Sequence, residues 1–418
     1  MPISRRSLLL GGGALATLGV VSRCGRATAA RAEAAGPAGL LEVCTPWSTG
    51  PEANGLLALL ADFKGRAPNV TFVPAPAGAD PAARMAAGNP PDCFLTRGGA
   101  ELSAYAAAGR LEPLDALYDR EGWAERLPDG LLPRLGVGPV RYAVPVGVRR
   151  TNLLWSSSAV VAGADADPTP RTLPALLDAL RKVAATGCHG LALGGPECLE
   201  QLLETVLLDA LGPEAWTALW QDGRGWSTPR VATALRWLDE LLGYSNLAYG
   251  GPTPGTWADA TRLLGSGQAG YQLTGDWAEG MLREVLGLRA FSGYRWVAAP
   301  GTDRVYQCRV DAFALPRGAR HRDAALVWLA ECGSSDGQLA LNGARGAVPA
   351  RIDLPATART LFGPYPRWSL EEWGVLPPLD SLAHGGLVGP SRRAGIDAAL
   401  AEYVEQRDPD RLRMALSG

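Results

Sequence analysis

The stretch Leu40-Leu41-Glu42-Val43-Cys44, followed after a Pro- and Gly-containing turn by Glu52-Ala53-Asn54-Gly55-Leu56-Leu57-Ala58-Leu59-Leu60-Ala61-Asp62-Phe63, decides the fold class. The first part is a short apolar run. In the second, Leu56, Leu57, Leu59, Leu60 and Phe63 recur at helical spacing, which predicts a strand over 40–44 and a helix over 51–66. The alternation continues with a strand over 70–73, a helix over 81–87, a strand over 93–96 and an Ala-rich helix over 100–108. Strands alternating with helices imply an α/β protein with a parallel sheet covered on both faces.

A second series of the same kind starts with a strand over 151–155 and continues with a helix opened by Thr172 and Pro174, a strand near Leu191 and a helix over 228–242. Ser227 or Thr228 caps that last helix and Pro229 fits its first turn. Strands over 269–274 and 311–315 and helices over 276–286, 322–332 and 336–341 complete the pattern. The Pro/Gly-rich passages at 162–170, 250–256 and 343–349 read as short loops bounded by periodic segments.

The N-terminus carries Ser4-Arg5-Arg6-Ser7-Leu8-Leu9-Leu10, two arginines directly before an apolar run that continues to Val21. This reads as a twin-arginine export signal. The run is too short and too rich in Gly and Ala to span a membrane, which needs roughly 20 predominantly apolar residues. Small-x-small sites at Ala27-Thr28-Ala29 and Ala30-Arg31-Ala32 put the end of the signal near residue 32 and the mature chain in the periplasm or outside the cell. Lipidation at Cys24 is the competing reading, disfavoured because Arg23 stands where a lipobox wants Gly or Ala.

Without residues 1–32, about 390 remain, more than one core supports, since single cores stop growing at roughly 250–300 residues. Two lobes are expected. The net charge of −2 supplies no electrostatic footprint for nucleic acid. Beyond Cys24 the cysteines are Cys44, Cys93, Cys188, Cys198, Cys308 and Cys332, with no CxxC pair. Cys188 and Cys198 could be bridged and Cys44 and Cys93 could pair, or each could be a small buried hydrophobe. His189, His321 and His384 lack the spacing of a metal helix, so neither a metal nor a cofactor is expected.

Several residues stand where α/β sheets place ligands, outside the carboxyl ends of strands and near helix N-termini. Trp47 follows the first strand and Glu52 opens the next helix; Gly275, Asp276 and Trp277 occupy another strand-to-helix junction. Trp257 lies in a Gly/Pro-rich passage, and Arg345 and His384 lie in glycine-flanked segments. Each has a structural alternative: a core indole, a carboxylate balancing a helix dipole or capping a helix, a surface ion pair, a solvated imidazole.

Taken in order, Leu41-Glu42-Val43-Cys44-Thr45-Pro46-Trp47 with Glu52, Pro91-Asp92-Cys93-Phe94 leading to Gly99-Ala100-Glu101-Leu102, and Val144-Pro145-Val146 leading to Asn152 and Trp155 form one pattern. It continues through Gly275-Asp276-Trp277-Ala278, Asp311-Ala312-Phe313-Ala314-Leu315-Pro316-Arg317-Gly318-Ala319, Gly346-Ala347-Val348-Pro349-Ala350-Arg351 and His384-Gly385. Nearly the whole mature chain thereby resembles the extracellular solute-binding proteins of ABC sugar transporters, most closely the glucose/mannose-binding group. The resemblance implies a two-lobed, type II-like periplasmic-binding-protein fold with hinge crossings near 147–152, 300–311 and 345–350. The lobes are expected at 40–148 with 311–345 and at 152–305 with 350–418. A small sugar is held in the cleft between them, with closure presenting the complex to a membrane permease. The protein is expected to be a monomer that does no chemistry on its ligand.

The resemblance assigns Trp47 and Trp257 to stacking, Glu52 and Asp276 to hydroxyl binding, and His384 to ligand contact. A pyranose offers an apolar face that stacks on an indole and a hydroxyl rim that needs donors and acceptors. Departures are equally specific: Pro46 where the family has a second tryptophan, Leu95 and Arg97 where it has Gln followed by His or Lys, and Arg345 for its lysine. Two arginines offer planar forks for a carboxylate or phosphate, so an acidic sugar or another solute is the alternative ligand. A second alternative is an exported glycosidase using Glu52 and Asp276 as its carboxylate pair.

Overall fold

The structure, a computed structural model, describes residues 38–248 and 255–418. The export signal, Cys24 and the tip of the 250–256 passage lie outside the described residues. Strand β1 (Gly39–Cys44) pairs in parallel with β2 (Val70–Pro74) on one side and β3 (Cys93–Arg97) on the other. Each return to the sheet is made by a helix, as parallel pairing requires. The helix Gly50–Arg66 starts with Pro51 and Glu52 in its first turn and ends with Lys64 and Arg66, matching the helix dipole at both ends. It buries Leu56, Leu59 and Phe63 on Leu41, Val43 and Trp328.

The remaining strands are the ribbon β4 (Gly136–Val137) and β5 (Val140–Arg141), then β6 (Ala143–Arg150), β7 (Leu153–Ser157), β8 (His189–Leu191), β9 (Ala269–Leu273), β10 (Tyr294–Ala298), β11 (Tyr306–Ala314) and β12 (Pro378–Asp380). The first lobe is built on a sheet ordered β12-β11-β3-β1-β2, with β6 paired to β11; the second is built on β10-β7-β9-β8. Neither sheet is purely parallel, contrary to expectation. β11 runs antiparallel to β3 and β6, and β7 antiparallel to β9 and β10, because these are the strands by which the chain passes from one lobe to the other.

Other sequence expectations need correction. The strand expected at 311–315 starts earlier, at Tyr306, and its first half takes β12 as a parallel partner. The 350–418 segment, expected wholly in the second lobe, thus lends a strand to the first, covering an edge that would otherwise leave backbone groups unpaired. The helix expected over 276–286 is a short α-turn, Trp277–Gly280, running into a π-turn, Met281–Val285. The loop expected from 343 begins later, since the helix Ser335–Arg345 continues through Gly343. All six cysteines of the described residues are free, and burial pushes the Cys198 and Cys308 thiols up to about 12.

Two chain crossings are tied by one side chain. Asn152 lies between β6 and β7, and its Nδ2 donates to Thr302 O (3.0 Å), Thr302 Oγ1 (3.0 Å) and Val305 O (3.2 Å) in the segment leading into β11. Its Oδ1 accepts from Arg150 Nε (3.1 Å) and Gln307 N (3.3 Å). A third crossing segment meets the first at the antiparallel bridge Val148↔Val348. Asn152→Ala leaves this buried set without its centre and is expected to cost about 2–4 kcal/mol, since each orphaned buried group costs roughly 1–3 kcal/mol. Urea unfolding of the variant beside wild type measures it; a loss under about 0.5 kcal/mol, the level of an ordinary surface substitution, would contradict the clasp.

Candidate functional site

Strand β6 ends in adjacent arginines whose side chains leave opposite faces of the strand. Arg150 turns to the second lobe, its guanidinium 4.5 Å from the Trp368 ring and 5.0 Å from that of Tyr306. Arg149, fully buried, donates Nη1 to Asp276 Oδ1 at 3.3 Å and Nη2 to Glu52 Oε1. Burial opposes its charge, but Asp276, Glu52 and Asp311 outweigh that and hold its pKa above the ordinary arginine value. One guanidinium therefore joins a carboxylate of the first lobe to a carboxylate of the second.

Strand β11 lays a second layer of charge beside it. Alternation puts Arg309 and Asp311 on one face, with Arg309 Nε donating to Asp311 Oδ1 at 3.0 Å. Arg345, the last residue of its helix, donates Nη1 to the other Asp311 oxygen at 2.9 Å and Nε to Asn342 Oδ1 at 3.1 Å. Burial alone would raise the Asp311 pKa, but Arg309, Arg345 and Arg149 together bring it down to about 2. Arg345, paying full desolvation, falls to about 10. A Cβ at Gly147 would lie 2.4 Å from Arg345 Nη2 and 2.4 Å from Asn342 Oδ1, so only glycine in β6 lets this pair approach.

Indoles stand over these charges. Arg345 Cζ is 4.6 Å from the Trp47 ring centroid, and Trp47 rests edge-on against Phe313 at 5.8 Å. Across the cleft, Trp257 and Trp277 meet edge to face at 6.1 Å, each the first residue of a helix. The Trp257 helix is fixed by a capping box between Thr256 and Asp259. Trp277 is held by the His384 ring at 4.7 Å, with Arg309 5.4 Å from its centroid.

Between them lies a cleft of about 440 Å³, in the range of small-molecule sites, lined by Trp47, Glu52, Arg149, Glu197, Trp257, Arg262, Trp277, Arg309 and Arg345. Of the residues singled out by sequence, Trp47, Glu52, Trp257, Trp277 and Arg345 line it. Arg97 lines an adjoining chamber of about 260 Å³ with Trp47, Leu95 and Asp311. Three stand behind the lining. Asp276, 1 % exposed, is engaged by Arg149 and by the Arg150 N–H at 3.1 Å; it occupies the N-cap position but makes no cap hydrogen bond. A Cβ at Gly275 would lie 2.2 Å from the Trp277 ring, so this glycine makes room for the indole. His384 is buried against Trp277, and burial together with Arg309, Arg97 and Arg393 keeps its pKa well below the usual histidine range.

Sequence reasoning missed Arg149, Glu197, Arg262 and Arg309. A usable signal existed for two of them: charged side chains inside strand-like runs, at Val148-Arg149-Arg150 and Arg309-Val310-Asp311, have to be paired or face a polar cavity.

Burial pushes the Asp276 carboxyl up to about 6, against the pull of Arg149 and the Arg150 N–H. Its value in the unfolded chain is about 3.9, so the folded state binds this proton more tightly. The resulting stability is fully present below about pH 4 and is lost as pH rises through about 6. Wild type is therefore expected to lose about 2–3 kcal/mol relative to Asp276→Asn between pH 4 and pH 7, read from urea unfolding of both proteins. A pH-independent difference would rule this out.

The family profile described as bacterial extracellular solute-binding protein matches residues 48–339. An ABC transporter extracellular-binding protein of Pyrococcus horikoshii is 26 % identical over 381 residues, 88 % of this chain and 84 % of that one. A probable sugar-binding periplasmic protein of Mesorhizobium japonicum is 31 % identical over 327 residues, 74 % of this chain and 76 % of the relative. Among solved structures, a chitin oligosaccharide binding protein superposes with a TM-score of 0.77 at 19 % identity, covering 91 % of this chain and 97 % of that one. With its two α/β lobes and the cleft between them, the chain belongs to the bacterial extracellular solute-binding protein family.

Proposed function

We propose that this protein is the substrate-binding component of an ABC importer and takes a neutral mono- or small oligosaccharide into the cleft between its lobes. The observation that carries the ligand class is the pairing of charge under the indoles. Every arginine that lines the cleft or its adjoining chamber faces a carboxylate: Arg149 with Glu52 and Asp276, Arg309 and Arg345 with Asp311, Arg262 with Asp259, Arg97 with Glu101. An anionic ligand would have to compete with carboxylates already in place, whereas a polyol finds both donors and acceptors in a charge-balanced wall. Trp47 on one side and Trp257 and Trp277 on the other supply the faces a sugar ring stacks on. This weighs against the acidic-sugar reading that Arg97 and Arg345 suggested.

Glu52, Trp47 and Arg345 act from the first lobe and Trp257 and Trp277 from the second, so a bound ring favours the closed form, which is the form the permease receives. Asp276 and His384 support this wall from behind. The lobes comprise 40–148 with 311–345 and 152–305 with 350–418, apart from β12. Residues 1–32 direct export by the twin-arginine route and are removed without lipidation of Cys24. Binding occurs without turnover: Glu52 and Asp276 share one arginine, and Asp276 is withdrawn from the cleft, an arrangement unsuited to a glycosidase acid–nucleophile pair. The sequence pattern favours the glucose/mannose-binding group.

Titration calorimetry of the mature protein is expected to give binding heat with neutral sugars, with affinity at least ten-fold above that for gluconate or glucose 6-phosphate. Trp257→Ala is expected to weaken binding about 5- to 30-fold through the lost stacking, worth roughly 1–2 kcal/mol. Preference for the acidic ligands would overturn the ligand class, and turnover of nitrophenyl glycosides would overturn the binding role.

A further inference from the structure

We infer that Arg309 is the specificity-determining residue of the cleft, donating both terminal nitrogens of its guanidinium to two vicinal hydroxyls of one sugar ring. This rests on the saccharide reading above and deepens it.

Arg309 stands on β11, in the sheet of the first lobe, directly opposite Arg149 of β6. Opposite residues of an antiparallel pair share a face, and like charges in that position work against the sheet. Arg149 is compensated separately, by Glu52 and Asp276. Asp311, the carboxylate that Arg309 meets, already holds Arg345 by its other oxygen. A charge kept where the sheet disfavours it is explained by the cavity it lines.

The side chain is fixed at one end and open at the other. Nε donates to Asp311 Oδ1 at 3.0 Å, and the guanidinium carbon lies 5.4 Å from the ring centroid of Trp277, a residue of the second lobe. The guanidinium is thus steadied from both lobes. Among the described residues, Nη1 and Nη2 take part in no hydrogen bond, and no carboxylate but that of Asp311 is in ion-pair contact.

The other arginines lining the cleft have less to offer. Arg149 spends both terminal nitrogens on Asp276 and Glu52. Arg345 spends one on Asp311, and its Nη2 is buried against Gly147, 2.4 Å from where a Cβ would stand. Arg262 holds Asp259 and is exposed. Arg309, its side chain 20 % exposed, lines both the cleft and the adjoining chamber with its fork unspent.

A planar fork with two free N–H groups side by side fits a pair of adjacent acceptors, either a carboxylate or two gauche hydroxyls. The surroundings choose between them. Glu197 lines the same cleft, and Arg309 is the foremost of the charges that draw its carboxyl down against burial. An anionic oxygen pair at the fork would face that carboxylate and Asp311, whereas hydroxyls accept from the fork and donate onward. A ring that lacks one hydroxyl of the pair, or spreads the two apart as a trans-diaxial pair, leaves a desolvated donor unmatched. Arg309 thereby sorts sugars by the configuration of two neighbouring carbons.

Calorimetric titration of the mature protein with glucose, mannose, galactose and xylose and with their homodimers identifies the tightest neutral ligand. That ligand is then compared with its monodeoxy forms, one for each hydroxyl, on wild type, Arg309→Met and Arg309→Lys, whose melting curves establish folding. Wild type is expected to lose about ten-fold or more at each of two neighbouring positions of one ring. Arg309→Met is expected to bind the parent sugar at least about ten-fold more weakly and to be indifferent, within about two-fold, to both deletions, while other deletions cost it what they cost wild type. Arg309→Lys, which keeps the charge without the fork, is expected to be indifferent to at least one of the two. A wild type with no such pair of positions, or penalties that Arg309→Met leaves unchanged at every position, overturns the inference and leaves the saccharide reading standing. Absence of heat with every sugar overturns that reading as well.

Discussion

A guanidinium withdrawn from water between two carboxylates governs the centre of this molecule. Stripping a charge of its solvent costs several kcal/mol unless opposite charges surround it, so Arg149 dictates where Glu52 and Asp276 must be. Glu52 is fixed by the start of the helix Gly50–Arg66 and Asp276 by the end of β9, which sets those two elements of different lobes against each other. The second layer, Asp311 between Arg309 and Arg345, extends the same demand along β11. The cleft floor is a lattice of compensated charge, and the indoles that roof it rest on the rigidity this lattice provides.

The hinge follows from that constraint. β6 delivers Arg149 and then passes within three residues through Thr151 and Asn152 into β7, so the residue that binds the lobes and the residue that clasps the crossings are neighbours in the chain. Gln201 reaches from its helix to the Thr151 carbonyl, which also accepts from the Leu153 N–H, and the Asn152 carbonyl accepts from the Ala299 N–H. The crossing between β6 and β7 is thus a short stretch of backbone, the kind of segment that absorbs the φ/ψ change when lobes close.

Much of the fold was legible because its signals are local. The helix over 51–66, the Thr172 cap with Pro174, and the Thr228-Pro229 start were set by composition and spacing within a turn, and the structure realises each. What escaped depends on partners far away in sequence. Nothing near Tyr306 announces that β11 begins there; its first residues become strand by pairing with β12 and with Arg149 and Arg150 of β6. Arg345 looked like a loop residue because Gly343 and Gly346 flank it, yet the helix tolerates Gly343 and ends at Gly346, in the left-handed conformation that glycine adopts freely. In the cleft, the place of Trp47 after β1 and of Trp257 in its Gly/Pro-rich passage was legible, and both line it. The burial that turned Asp276 from a wall group into a support, and the strand arginines that carry the charge balance, could not, since both are properties of a packed pair of lobes.

The arrangement of indoles has an optical consequence. Trp155, Trp216, Trp220, Trp328 and Trp373 are sealed in the cores, away from solvent. Trp257 and Trp277, by contrast, line the cleft, and Trp277 sits beside a positive guanidinium whose field acts on its excited state. On the proposed binding mode the protein carries its own spectroscopic gauge: a background emission from the buried rings, and on top of it a component whose colour and quenching follow the occupancy of the cleft.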